Sequence, residues 1–112
     1  MKILVISNYE DYHTARPEAN IFKEMFKLGI NITIMTHGES QHAKEFMKLG
    51  IDVIDFHPQK KFDKKEIEII QETVIRKKID IIHAFSNKGC YAAVRAKKGL
   101  NVKLILYRGT AA

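Results

Sequence analysis

The chain has 112 residues, 46% of them hydrophobic and 29% charged, which is the size and composition of one globular domain with one core. No apolar run approaches the roughly 20 residues that a membrane-spanning helix needs. The first seven residues are too short for a secretion signal, so a cytoplasmic protein is expected. The single cysteine, Cys90, excludes an internal disulfide, and we expect it to be a small buried side chain.

The formal net charge is +6, and the basic residues fall mainly on predicted helix faces and helix ends. The simplest interpretation is a solvated basic surface. The alternative is attraction to an anionic partner such as lipid headgroups. No aromatic residues interleave the basic clusters, so a nucleic-acid partner is not expected. The clusters comprise Lys60, Lys61, Lys64, Lys65, Arg76, Lys77, Lys78, Arg95, Lys97 and Lys98.

The first half of the chain reads as strand, helix, strand, helix, strand. A strand over 2–7 and a polar segment over 8–15 precede a helix over 16–28. Pro17 suits its first turn, Glu18 suits the positive end of its dipole, and Gly29 is a natural stop. A strand over 31–36 then leads to a helix over 40–49, with Ser40 as its N-cap. The third strand covers 52–56 and ends before Pro58.

The second half repeats the alternation. A helix over 63–78 begins with Asp63 as its cap and presents an inner stripe of Ile67, Ile70 and Val74. A strand over 80–85, a helix over 87–98 and a strand over 102–107 follow. Segments 23–30 and 44–51 resemble each other. We interpret them as one joint, in which a helix stops and a strand begins, used twice.

Strands rich in Ile, Val and Leu, each separated by a helix, predict a parallel sheet covered on both faces. The predicted fold is therefore α/β, a Rossmann-like three-layer sandwich with a five-stranded parallel sheet in the order 3-2-1-4-5. In that order the switch point lies between the first and fourth strands. Ligands bind there, beyond the carboxyl ends of the strands.

The residues just past the strands are therefore the candidate site. Arg16 and Arg108 can hold phosphate or carboxylate with paired hydrogen bonds, and Arg108 is the candidate catalytic residue. The fourth helix begins near Asn87 and Lys88, where backbone N–H groups favour an anion. The predicted substrate-binding residues are Asn8, His13, Arg16, His83, Ser86, Asn87, Lys88 and Gly109.

Other ligand classes fit this edge less well. Four histidines lie on it, but the third and fourth strands would be about 14 Å apart, whereas zinc ligands lie about 2 Å from the metal. No metal is therefore predicted. No glycines follow the first strand, as a dinucleotide fingerprint requires, so no cofactor is expected. A receiver-like module is suggested by Asp55 near Pro58, but the lysine expected after the fifth strand is absent.

Four segments resemble the amino-terminal domain of family 4 glycosyltransferases of the GT-B fold. The resemblance covers essentially the whole chain, and its motifs are more specific as an ordered set than singly. The segments are Arg16-Pro17-Glu18, Leu28-Gly29-Ile30, Asp80-Ile81-Ile82-His83-Ala84-Phe85-Ser86-Asn87-Lys88 and Val102-Lys103-Leu104-Ile105-Leu106-Tyr107-Arg108-Gly109.

The resemblance implies transfer of a sugar from a nucleotide-sugar donor to an acceptor with retention, without a metal. It implies that this domain forms the acceptor side, while a carboxy-terminal domain, expected to be absent from these 112 residues, holds the donor. Sugar or lipid-linked acceptors would allow peripheral contact with the inner face of a membrane. Many relatives carry glycines after the first strand and a histidine before the glycine that follows the fifth. This chain has Asn8-Tyr9-Glu10 and Arg108 there, so the catalytic base is unassigned.

Two alternatives stay open at this point. One is another GT-B enzyme, such as a nucleotide-sugar epimerase. The other is a non-catalytic ligand-binding or receiver-like module complete in 112 residues. The predicted topology leaves the face that carries the first helix uncovered beside strands four and five. We therefore expect an exposed apolar patch there, which could support self-association.

Overall fold

The computed structural model describes residues 1–7, 12–56, 63–85 and 87–107, and for residues 12–17 and 87 it describes the backbone. Five strands alternate with four helices in these stretches. Their order and bounds are β1 (Lys2–Ile6), α1 (Tyr12–Lys27), β2 (Asn31–Thr36), α2 (Gln41–Leu49), β3 (Asp52–Asp55), α3 (Lys64–Lys77), β4 (Ile81–Phe85), α4 (Asn87–Lys97) and β5 (Lys103–Tyr107).

The strands form one parallel sheet in the order β3-β2-β1-β4-β5, which confirms the predicted topology. β1 is central, and its Val5 lies between Ile34 of β2 and His83 of β4. Successive side chains of a strand point to opposite faces. Each face of this sheet therefore packs into a separate hydrophobic core.

Helices cover both faces, as the aliphatic character of the strands predicted. Leu4 and Ile82 face a core that contains Ile70 of α3 and Ala93 of α4. Val5 and Ile34 face the other core, which contains Phe22 of α1 and Phe46 of α2. The three-layer α/β sandwich is confirmed. None of the described helices combines the length and apolar character needed to cross a bilayer.

The two similar sequence segments form the same joint, as predicted. Gly29 and Gly50 have φ of 90° and 92°, a left-handed conformation that glycine adopts without a steric penalty. After each glycine an isoleucine N–H donates back into the helix, from Ile30 to the Met25 oxygen at 3.2 Å and from Ile51 to the Phe46 oxygen at 3.0 Å. This Schellman arrangement satisfies carbonyls at the helix ends.

The start of α1 was predicted incorrectly. The helix begins at Tyr12 rather than near Arg16, so Pro17 is its sixth residue and lies outside the first turn. Residues 12–15 contain neither glycine nor proline, so nothing in them opposes helix formation. A proline in the interior removes one backbone donor, but the turns on either side can still form. Glu18 consequently lies in the second turn.

The expected apolar exposure beside β4 and β5 is confirmed within the described residues. Ile105 and Tyr107 of β5 are 47% and 44% exposed, and Ile21 of α1 is 57% exposed. Ile105 is paired with His83 and therefore shares the α1 face of the sheet. Cys90, by contrast, is buried on α4 as predicted, with its sulfur 3.5 Å from the Ala84 carbonyl oxygen.

Candidate functional site

The carboxyl ends of all five parallel strands lie on one edge of the sheet, and the switch point falls between β1 and β4. Ile6 of β1 is paired with Ala84 of β4. α1 follows β1 onto one face of the sheet, whereas α4 follows β4 onto the other. Crevices of this kind, where successive helices leave on opposite faces, bind ligands in open α/β sheets.

A groove of about 320 Å³ lies between α1 and the carboxyl halves of β4 and β5. Most of its described surface is apolar, and among the described residues its polar groups are the Glu18 carboxylate, the His83 imidazole and the Tyr107 hydroxyl. Concave apolar surfaces with a few polar groups are the usual form of small-molecule sites. The lining residues are Glu18, Ile21, Phe22, Met25, His83, Phe85 and Tyr107.

Phe85 forms the centre of an aromatic cluster at the base of the groove. Its ring centroid lies 5.3 Å from Phe22 with the planes at 73°, 4.5 Å from His83 at 36°, and 5.3 Å from Tyr107 at 52°. Edge-to-face and tilted ring pairs are favourable arrangements. The cluster therefore links α1, β4 and β5 and holds the groove walls at a defined separation.

The groove perturbs the titration of His83. Burial lowers the pKa of His83 below its ordinary value, and the Glu18 carboxylate offsets part of that shift. The imidazole is therefore neutral at physiological pH, with one nitrogen that donates and one that accepts hydrogen bonds. Oε2 of Glu18 is buried, and it has no hydrogen-bond partner among the described residues. The groove therefore presents both a donor and acceptors to a polar ligand.

The lowered pKa of His83 predicts a pH-dependent stability. The unfolded chain binds this proton near pH 6.5, and the folded chain binds it at lower pH. The His83 contribution to the free energy of unfolding is therefore complete above about pH 6.5, and it decreases as pH falls towards the folded-state pKa. His83→Phe should remove this slope in urea unfolding between those limits, whereas His37→Phe should retain it. Equal slopes in wild type and His83→Phe would contradict the assignment.

The polar contact at the carboxyl ends of β2 and β3, on the far side of β1 from the groove, has a structural role. The N–H of Gly38, in the turn after β2, donates to Oδ1 of Asp55 at 2.8 Å, so Asp55 holds that turn against β3. β3 is an edge strand separated from β1 by β2. A receiver-like sheet has the order 2-1-3-4-5, in which the third strand is beside the first, so the receiver-like alternative is wrong.

Within the described stretches, no three His, Cys, Asp or Glu side chains are placed to hold a metal ion.

The sequence profile of the family described as "Glycosyl transferase 4-like" matches residues 2–110. The chain belongs to this glycosyltransferase family. No curated protein matches the sequence.

Two solved structures show the same fold as this glycosyltransferase-family chain. A glycosyltransferase from Rickettsia africae ESF-5 superimposes with a TM-score of 0.75 at 22% identity over 94% of the chain. Acinetobacter baumannii MurG superimposes with a TM-score of 0.71 at 10% identity, again over 94% of the chain. The chain spans 28% and 34% of the lengths of those two proteins.

The described residues place some of the predicted site. His83 lines the groove, whereas Lys88 is exposed in the first turn of α4. His13 and Arg16 lie in the amino-terminal turns of α1, and Asn87 begins α4. Their backbone positions are at the carboxyl edge. Asn8, Ser86, Arg108 and Gly109 lie outside the described residues, and their roles stay predictions.

The groove also contains residues that the sequence did not single out. Glu18 belongs to a family-like segment, but it was assigned only to the helix dipole. Phe22 lies within the first predicted helix, and Phe85 and Tyr107 belong to other family-like segments, but none of the three is among the predicted site residues. The predicted strand order could have pointed to Phe85 and Tyr107, because it places the fourth and fifth strands side by side. Once they are aligned, Phe85 and Tyr107 are paired on the face that α1 only partly covers.

Proposed function

We propose that this chain is the amino-terminal, acceptor-side domain of a retaining glycosyltransferase. In this proposal the sugar is transferred from a nucleotide-sugar donor to an acceptor held at the carboxyl edge of the sheet. The observation that carries the proposal is the groove beside the switch point. Its apolar walls, together with the polar groups of Glu18, His83 and Tyr107, suit a carbohydrate or a glycoside, and the family membership supplies the reaction class.

The groove chemistry matches a sugar with an apolar face or substituent. Ile21, Phe22 and Met25 offer apolar contact from α1. The neutral imidazole of His83 can donate to or accept from a hydroxyl, and the Glu18 carboxylate accepts only. Hydroxyl groups both donate and accept, so they suit this pair. A phosphate-rich ligand suits it poorly, because the carboxylate of Glu18 repels negative charge.

Arg108 is proposed to stabilise negative charge that develops on the departing nucleotide. It follows Tyr107, the last residue of β5 and a groove residue. Preorganised positive charge at such a position can contribute 10²-fold or more to turnover, about 3 kcal/mol. Because arginine stays protonated, Arg108 cannot act as the base. Asn8, His13, Arg16, Ser86, Asn87, Lys88 and Gly109 are proposed to complete the substrate contacts at the same edge.

We assign donor binding mainly to a second, carboxy-terminal domain. The support is the relation to similar structures, of which this chain spans 28% and 34%. The chain alone is then expected to lack transferase activity, because the groups that hold the donor phosphates are missing. We place the enzyme in the cytoplasm. Its net charge of +6 supports peripheral contact with an anionic membrane face.

The proposal is tested by mapping ligand binding to the purified chain with amide NMR spectra. p-Nitrophenyl glycosides should perturb His83, Phe85 and Tyr107, whereas UDP-glucose and GDP-mannose should not. His83→Phe keeps a ring but removes both nitrogens, and it should weaken glycoside binding by up to about tenfold, the effect of one hydrogen bond. The matched control His37→Phe alters an imidazole outside the groove lining and should bind like wild type.

Three results would count against the proposal or a part of it. Nucleotide-sugars that perturb the groove while glycosides do not would make this the donor side. Equal glycoside affinity in wild type and His83→Phe would remove His83 from the site. Sugar transfer by the 112-residue chain alone would overturn the assignment of donor binding to a second domain.

A further inference from the structure

The Glu18 carboxylate in the groove has no counter-charge within the described residues. Its Oε2 atom is buried and accepts no hydrogen bond from them. The lysines of α1 are engaged elsewhere, because Lys23 is ion-paired with Glu45, and Lys27 with Glu24 at 3.4 Å. A buried carboxylate oxygen without a donor is costly. The groove therefore favours a ligand that supplies a hydrogen-bond donor at this point.

The rest of the described groove lining supplies no positive charge to Glu18. It contains no lysine or arginine. Burial lowers the pKa of His83, so its imidazole is uncharged at physiological pH. The negative charge of Glu18 nevertheless reaches His83, because it offsets part of that shift in pKa. The two groups therefore lie close enough to act on the same ligand.

Aromatic rings line the groove beside this pair. The rings of His83, Phe85 and Tyr107 form a row, with neighbouring centroids 4.5 Å and 5.3 Å apart. Phe22 contacts Phe85 from the side of α1. The faces of aromatic rings attract cations, and the attraction is stronger where water is displaced. The carboxylate and the rings thus favour the same kind of ligand, one that carries a positive charge.

An ammonium group suits this lining better than a metal ion does. Metal sites need several ligands around one ion, and the residues that the structure describes contain no such cluster. An ammonium carries three N–H donors, enough for the Glu18 carboxylate and for the ring nitrogen of His83 that accepts. The groove volume of about 320 Å³ and its apolar walls also suit a small organic molecule rather than a bare ion.

We propose that the acceptor is an amino sugar, held by its ammonium group between Glu18 and His83 while its ring packs against Phe85 and Tyr107. This inference rests on the function proposed above, since it names the acceptor class for the same groove. A hydroxyl in place of the ammonium loses the charge, and charge-assisted hydrogen bonds are about twice as strong as neutral ones. An acetylated amine loses the charge and two of the three donors. The groove should therefore select the free amine over both.

The test compares three ligands on the wild-type chain by amide NMR titration. They are p-nitrophenyl β-glucosaminide with a free amine, the corresponding N-acetyl glycoside, and p-nitrophenyl β-glucoside. At low salt the free amine should bind about tenfold more tightly than the other two, with shifts at His83, Phe85 and Tyr107. Added salt should weaken its binding more than that of the glucoside, because ions screen charge. This comparison needs no substitution in the protein.

Glu18→Gln keeps the size of the side chain and removes its charge. It should bring the amino glycoside to about the affinity of the glucoside, and it should change glucoside affinity by no more than about twofold. The matched control is Glu24→Gln on the same helix, where the carboxylate is exposed and paired with Lys27. This control should bind all three ligands like wild type. Amide spectra that match wild type outside the groove check that each variant is folded.

The outcomes separate this inference from the proposed function. Equal affinities for the free amine and the glucoside, with both perturbing the groove, would overturn the amino-sugar assignment and leave the acceptor-side proposal intact. Tight amine binding that survives Glu18→Gln, or that maps outside the groove, would also overturn the assignment. If no glycoside perturbs the groove, the proposed acceptor site itself fails, and the amino-sugar assignment fails with it.

Discussion

Phe85→Ala is expected to lower the free energy of unfolding by about 3–5 kcal/mol, the usual cost of removing a buried phenyl ring. Phe85 is 5% exposed and contacts the rings of Phe22, His83 and Tyr107. Its loss would leave a cavity and remove three ring contacts at once. The neighbours lie on α1, β4 and β5, so the walls cannot close over the cavity without moving whole elements. Urea denaturation at one protein concentration measures the change.

Phe85→Leu is the matched control for this experiment. Leucine retains most of the buried apolar volume, so the loss should be closer to 1 kcal/mol. The His83 titration provides a second readout. Removing the phenyl ring admits water beside the imidazole, so the pKa of His83 should rise towards its ordinary value in Phe85→Ala. An unchanged His83 titration, or a loss no larger than that of Phe85→Leu, would show that the cluster does not support the groove.

Ile82→Ala is expected to cost about 3 kcal/mol. Ile82 is fully buried on β4, where it lies between Leu4 of β1 and Leu104 of β5. It faces the core formed with α3 and α4, on the side of the sheet away from the groove. The hydrogen-bonded neighbours of β4 keep the strand in place, so the vacated volume remains. Glycoside binding should be unchanged wherever the variant is folded.

The control for Ile82 is Ile75→Ala on α3. Ile75 is 67% exposed, and surface substitutions usually change stability by no more than about 0.5 kcal/mol. Both variants should be compared with wild type at the same protein concentration, because self-association adds to apparent stability by mass action. A cost below about 1 kcal/mol for Ile82→Ala would contradict the tight packing of this core.

Local patterns were enough to predict most of the fold. Ser40 accepts a hydrogen bond from the Ala43 N–H at 3.2 Å, and Asp63 accepts one from the Lys65 N–H at 3.1 Å, so both predicted N-caps are confirmed. Glycine stops and aliphatic runs located the strands, and the handedness rule selected the order. The start of α1 was missed because Pro17 marks a helix beginning only by statistical preference, whereas the residues before it can continue the helix.

The groove was harder to predict, because its parts are distant in sequence. Phe22, Phe85 and Tyr107 come from three elements, and their ring angles depend on how α1 packs over the sheet. His83 was recognisable because it is a polar residue on an interior strand, β4, beside the switch point. Its pKa direction could not be inferred before the burial around it was known. Glu18 was not recognised as a groove residue, because the helix dipole already explains an acidic side chain near the start of a helix.

The central position of β1 has a consequence for synthesis on the ribosome. β1 is translated first, and its neighbour β2 follows at Asn31, but its other neighbour, β4, begins only at Ile81. Until then, one side of Ile3-Leu4-Val5-Ile6 has no strand beside it. Nascent chains with unpaired aliphatic edges are prone to aggregate. Chaperone dependence should therefore be greatest for chains stalled between β3 and β4, and it should fall once β4 has emerged.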